Sequence, residues 1–138
     1  MDYAKCSTAT TDSRIVLREN RSKFELINSE KLQVEKIKVD GCLISDARPR
    51  CDWVLVSNEK NKALYVELKG CEIDRAIEQL KSTLTYTRER YSNYNKKCFV
   101  VSTRVPKHGS SMRRRCLDFY NKTKVTLCVK NVQSIEEL

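Results

Sequence analysis

Two apolar runs joined by a short polar turn, with acids placed at one end of the pair, constrain this chain more than any other feature. Residues Asp52-Trp53-Val54-Leu55-Val56 are followed by the polar stretch Ser57 to Lys62 and then by Leu64-Tyr65-Val66-Glu67-Leu68-Lys69. Apolar runs of this length flanking a polar turn predict a β-hairpin. Side chains alternate faces along a strand, so Glu67 and Lys69 share one face while Val66 and Leu68 take the other. Folding the hairpin brings Asp52 within reach of Glu67 and Lys69. Charges inside an apolar strand must be solvated or paired, which makes this trio a candidate site rather than incidental surface. It is the only Glu-x-Lys in the chain.

Two carboxylates and one ammonium at a strand edge suit metal-assisted phosphodiester hydrolysis. Carboxylate oxygens are the hard ligands Mg²⁺ requires, and a bound cation activates water and neutralises developing charge. Asp52, the Glu67-Leu68-Lys69 triplet and the amphipathic stretch after them resemble the PD-(D/E)xK nuclease superfamily, which includes restriction endonucleases, RecB-type nucleases and archaeal Holliday junction resolvases. The resemblance spans roughly Val39 to Val105, and Gln79-Leu80 resembles the glutamine motif of the RecB-like branch. Cys51 stands where the family usually has proline, with Pro49 three residues before Asp52, and no opening helix bearing an extra Glu is evident. The resemblance implies an α/β fold with a restriction-endonuclease-like mixed β-sheet flanked by α-helices. It further implies that Asp52 and Glu67 bind Mg²⁺ (or Mn²⁺), with the backbone carbonyl of Leu68 as a third oxygen. Lys69 would contact the scissile phosphate or orient the attacking water, and Gln79 would steady that water or a phosphate oxygen. A homodimer also follows from the resemblance, because junction resolvases of this kind act as dimers.

Other acids are weaker candidates. Asp40 in Val39-Asp40-Gly41 is either a turn residue, since Asp-Gly favours tight turns, or a further metal ligand. Glu35 and Glu30 are candidates for the missing extra Glu. His108 is the only histidine, which disfavours chemistries needing several imidazoles. Ser110 and Ser111 lack a nucleophile-elbow context, and three glycines are too few for a phosphate-cradling loop.

The formal net charge is +9, which favours a polyanionic partner, most simply nucleic acid. Two basic groups would grip its backbone: Arg48 and Arg50 before the first site strand, and Arg113-Arg114-Arg115 with Lys107 nearby. Arg and Lys contacts to phosphate give affinity without base identity. Seven cysteines without a C-x-x-C pair disfavour a zinc ribbon. They are expected to be small buried hydrophobes in a reducing cytoplasm. No apolar leader occupies the first twenty residues and no run approaches a membrane span, so no membrane association is expected.

At 138 residues the chain is expected to form a single PD-(D/E)xK-like domain (1–138) with residues 1–13 loose. Residues 15–17 and 24–27 predict short strands around a polar turn at 19–22. Residues 32–44 predict a strand that breaks near Lys36, with a helix over 29–36 as the alternative. Ile73, Ile77, Leu80, Leu84 and Tyr91 follow helical spacing, which predicts a helix from Ile73 to about Tyr91. Residues 98–102 form a continuous apolar run, as in a strand buried on both faces. Residues 112–120 predict a short basic helix, and 124–132 alternate as a last strand. Three functions fit: a metal-dependent nuclease acting on DNA, an RNA-directed nuclease, or a non-catalytic nucleic-acid-binding or regulatory module of the same fold. With little surface for base readout, a domain of this size would either recognise nucleic-acid structure or depend on a partner protein or on dimerisation for specificity.

Overall fold

The fold is that of a computed structural model, which describes residues 2–68, 72–103 and 109–138. In chain order the elements are β1 (Ser7–Thr10), β2 (Arg14–Glu19), β3 (Ser22–Ile27), β4 (Val34–Lys38), β5 (Trp53–Ser57), β6 (Lys62–Leu68), α1 (Ile73–Tyr86), β7 (Asn95–Ser102), α2 (Gly109–Thr123), β8 (Thr126–Asn131) and β9 (Gln133–Glu137). The predicted hairpin forms as β5 and β6, antiparallel, with Trp53 opposite Val66 and Ser57 opposite Lys62. Asn61 takes the left-handed conformation (φ 51°) that closes its turn.

The hairpin lies at the centre of a mixed six-stranded sheet ordered β1-β4-β5-β6-β7-β8. β6, β7 and β8 are parallel neighbours, and parallel neighbours need crossover connections, which α1 and α2 supply. Both helices cover the same face. Ala76, Ile77 and Leu80 of α1 and Phe119 of α2 pack with Val54, Val56, Tyr65, Cys98 and Val100. The opposite face is covered by a second sheet, β2-β3-β9. There Ile15, Leu17, Phe24 and Leu26 pack on Leu55, Leu64, Val66, Leu68, Phe99 and Val101. Phe24 and Phe99 meet at 4.8 Å between ring centroids. The α/β class with a mixed sheet therefore stands, but among the described residues helices flank only one face.

Four expectations need correction. The N-terminal residues are tied down, because β1 pairs antiparallel with β4 and the Tyr3 ring packs edge-on against Tyr91 at 6.1 Å. Cys42, read as a buried thiol, forms a disulfide with Cys6. The 32–44 strand ends at Lys38, and Gly41 at φ 80° turns the chain so that Asp40 bridges Ile44; no helix covers 29–36. Finally, α1 ends at Tyr86 rather than Tyr91. Thr83, Thr85 and Thr87 donate their hydroxyls to carbonyls four residues back, a pattern that weakens a helix. Tyr91 instead packs in the following turn between Tyr3 and Tyr94.

Candidate active site

The β5–β6 register, continued one residue beyond the Trp53–Val66 pair, sets Asp52 opposite Glu67. Backbone bonds hold this continuation: Asp52 N–H donates to the Val66 carbonyl at 3.2 Å, and the Asp52 carbonyl accepts from Val39 N–H at 3.0 Å. Strand alternation puts Asp52 with Val54, and Glu67 with Tyr65, on the face covered by the helices. The pair sits at the C-terminal end of β6, where β6 leads into its parallel crossover. Clefts at the carboxyl ends of parallel strands are the usual site position in α/β sheets.

Asp52 is half-buried, and its Oδ2 accepts a 2.7 Å bond from the Leu68 N–H. Glu67 is only 7% exposed. Its Oε1 has no hydrogen-bond partner among the described residues. Burial, and then the charge of Asp52, push the Glu67 carboxyl up to about 9. Burial pushes Asp52 up to about 6, with the Leu68 N–H acting in the opposite sense. Burial and mutual proximity therefore hold both carboxyls toward the protonated form when no cation is bound. Like charges confined this closely titrate as a unit. Cys51 is fully buried beside them, and burial pushes its thiol upward, so it remains a neutral packing group.

The field of Glu19, which the sequence pattern places only in a polar turn, also raises both carboxyls. Glu19 ends β2 opposite Ser22. The Ser22 hydroxyl donates to the Val101 carbonyl at 3.0 Å, and Val101 pairs with Leu68. The tip of the small sheet is thereby fastened at the same strand end as Glu67. The weaker candidates lie elsewhere. Glu30 pairs with Lys60 at 3.4 Å near the turn end of the hairpin. Glu35 is opposite Val56, four residues along β5 from Asp52.

Asp40 contributes to the same negative field but is exposed, and it is ion-paired with Arg50 at 2.7 Å. α1 is clamped to the site strand through Thr83, whose hydroxyl accepts from Cys51 N–H at 2.9 Å and donates to the Gln79 carbonyl at 2.9 Å. Gln79 is half-buried one turn before Thr83. It lines a cleft of about 410 Å³ together with Asp40, Arg48, Arg50 and Arg75.

Several predicted phosphate-binding arginines are already engaged. Arg48 pairs with Asp46 at 2.8 Å and lies over the Tyr86 ring. Arg50 also donates to the carbonyls of Asp46 and Arg48. Arg115 forms a two-pronged bond to Asp74 at 2.7 and 3.2 Å, tying α2 to the first turn of α1. Arg113 and Arg114 are exposed. Lys69, Lys107 and His108 lie outside the described residues.

Among the described residues no three His, Cys, Asp or Glu side chains converge into a metal-holding group. The chemistry available here is that of a buried acid pair with one oxygen left without a partner. No protein-family model, no curated protein and no solved structure matches the chain.

Proposed function

We propose that this protein is a metal-dependent nuclease of the PD-(D/E)xK type, hydrolysing phosphodiester bonds, most simply in DNA. The observation that carries this reading is the Asp52–Glu67 pair, two carboxyls buried together at a strand end with Glu67 Oε1 unpartnered. A buried charge without a partner is costly, and a divalent cation is the partner that suits two facing carboxylates. The donor set fits Mg²⁺ or Mn²⁺, since Mg²⁺ is commonly held by one or two carboxylates, waters and substrate phosphate rather than by an all-protein cage. Asp52, Glu67 and the Leu68 carbonyl would hold it, and when bound it would supply charge neutralisation and an activated water. The rest falls to side chains of this chain. Lys69, two residues beyond Glu67, would place its ammonium against the scissile phosphate. Gln79, clamped beside the site strand through Thr83, would steady a phosphate oxygen or the attacking water.

The order strand, turn, strand, helix, parallel strand supports a restriction-endonuclease-like arrangement, with β2-β3-β9 as an addition on the far face. Among the described residues no helix is long and apolar enough to cross a membrane. We read the protein as drawing specificity from a homodimer or partner protein, and the Cys6–Cys42 disulfide runs against the expectation of a reducing cytoplasm. The test is incubation of the pure chain with plasmid, linear duplex, branched DNA, single strands and RNA, in Mg²⁺, Mn²⁺ or EDTA. Cleavage that needs the cation and disappears in folded Asp52→Ala and Glu67→Ala proteins is expected. A folded Glu67→Ala protein cleaving at the parental rate would overturn the site, and preference for RNA would change the substrate but not the chemistry.

A further inference from the structure

The end of β6 remote from Glu67 carries a separate feature. Asn95 opens β7 opposite Lys62, five residues and about 17 Å along the strand from Glu67. Here the last turns of α1 and α2 meet the start of β7, and a cleft of about 560 Å³ opens between them. Lys81, Arg88, Lys96, Lys122 and Lys124 line it, and among the described residues no carboxylate does. Only Lys81 has an ion-pair partner among the described residues, the exposed Glu78 at 3.3 Å.

The positions of these cations are fixed by the fold. Lys124 takes a left-handed conformation (φ 61°) while its N–H caps α2 through the Tyr120 carbonyl at 2.7 Å. Partial burial pulls the Lys96 ammonium below its usual range. A helix C-terminus attracts cations through its exposed carbonyls, which accounts for Lys122 and Lys124. It accounts equally for Arg88, two residues past the end of α1, but not for Lys96 on β7. Like charges gathered around one cleft repel unless an anion joins them.

We propose that this cleft is a second phosphate-binding site that takes the backbone of a nucleic-acid strand. Cations drawn from three elements match several successive phosphates better than one. Binding here does not require the nuclease reading; only the further step, that one strand contacts both ends of β6 across about five nucleotides, rests on it.

The experiment uses the full chain carrying Arg88→Gln, Lys122→Gln and Lys124→Gln together, all exposed positions, with unchanged melting as the control for folding. Labelled single strand and duplex are titrated in EDTA over a salt series, and inorganic phosphate and a mononucleotide serve as competitors. Affinity should fall at least tenfold, and the salt slope should flatten by about two, from about 0.7–0.9 per lost phosphate contact. The corresponding Arg88→Lys, Lys122→Arg, Lys124→Arg protein should retain the parental slope. Unchanged affinity and slope overturn the proposal, as does competition by mononucleotide or phosphate at concentrations comparable to the strand. Because binding is read in EDTA, it is independent of cleavage. If no substrate is cut but the slope still changes, the nuclease reading fails and this one holds.

Discussion

Asp52 and Glu67 lie opposite each other but in different surroundings: Asp52 receives the Leu68 N–H, while Glu67 is more deeply enclosed and keeps an oxygen free. Lys69 is the third member of the motif, and its role separates a catalyst from a docking surface. In the chemical step its charge would matter most in the transition state, leaving ground-state binding nearly intact. Lys69→Ala should therefore lower the single-turnover rate by roughly 100-fold or more, on the scale of a lost electrostatic donor, while DNA affinity measured in Ca²⁺ changes by less than about threefold. Lys69→Arg should restore little, because the guanidinium keeps the charge but not the reach. A fall in affinity with no change in rate would mark a docking residue instead. The acid pair was legible in the sequence because period-two alternation and a short turn fix both its face and its register. Glu19 was not: its approach depends on the Ser22–Val101 bond between two sheets, a contact 79 residues apart in the chain. The engagement of Arg115 by Asp74 was hidden for the same reason, since it joins two helices separated by β7.

At the scale of elements, strands with one clear apolar pattern were legible, and the places where the chain changes sheet were not. β9 went unread because Val132, a β-branched residue, adopts φ 65°, a conformation costly for such side chains. It is held there by its N–H to the Ser102 carbonyl at 2.7 Å and by its own carbonyl accepting from Lys23 N–H at 2.9 Å. That reversal moves the chain from the large sheet to the small one, where β9 runs parallel to β3. α2 illustrates how one element divides its labour. Arg115 fastens it to α1, whereas Arg113 and Arg114 face solvent. Arg113→Ala with Arg114→Ala should leave the melting temperature nearly unchanged and weaken DNA binding about equally across sequences, with a flatter salt dependence. Arg115→Ala should lower the melting temperature, by roughly 2–4 °C if the exposed pair is worth up to about 1 kcal/mol. Melting curves and salt-series binding on the same preparations check both. If the double variant melts low and binds normally, the division of roles on α2 is reversed.

For the molecule as a whole, the acid pair makes folding stability depend on pH and on divalent cations together. The Glu67 carboxyl is raised to about 9 in the folded chain, against an unfolded value near 4.3. Between those values the folded state binds more protons than the unfolded one, so the contribution of this group to stability falls as pH rises. Asp52, raised to about 6, acts in the same direction over the lower part of that window. In EDTA the melting temperature should therefore fall from pH 5 to pH 9 by roughly 10 °C or more relative to Glu67→Gln, which carries no titrating group at that position and should give the flatter curve. A cation that binds the folded pair alone opposes this loss, by an amount that grows with its concentration over its dissociation constant. Because a cation must displace the proton that the raised carboxyls retain, the stabilisation by Mg²⁺ should be small at pH 5 and larger at pH 8 to 9. Glu67→Gln should keep only the smaller loss due to Asp52 and should lack most of the Mg²⁺ response. Melting curves of both proteins, with EDTA or with millimolar Mg²⁺ across this pH range, measure the two effects independently of any substrate. Parallel curves for the two proteins in EDTA would mean that Glu67 is ionised and satisfied without a cation. A Mg²⁺ response retained in full by Glu67→Gln would place the cation elsewhere on the molecule.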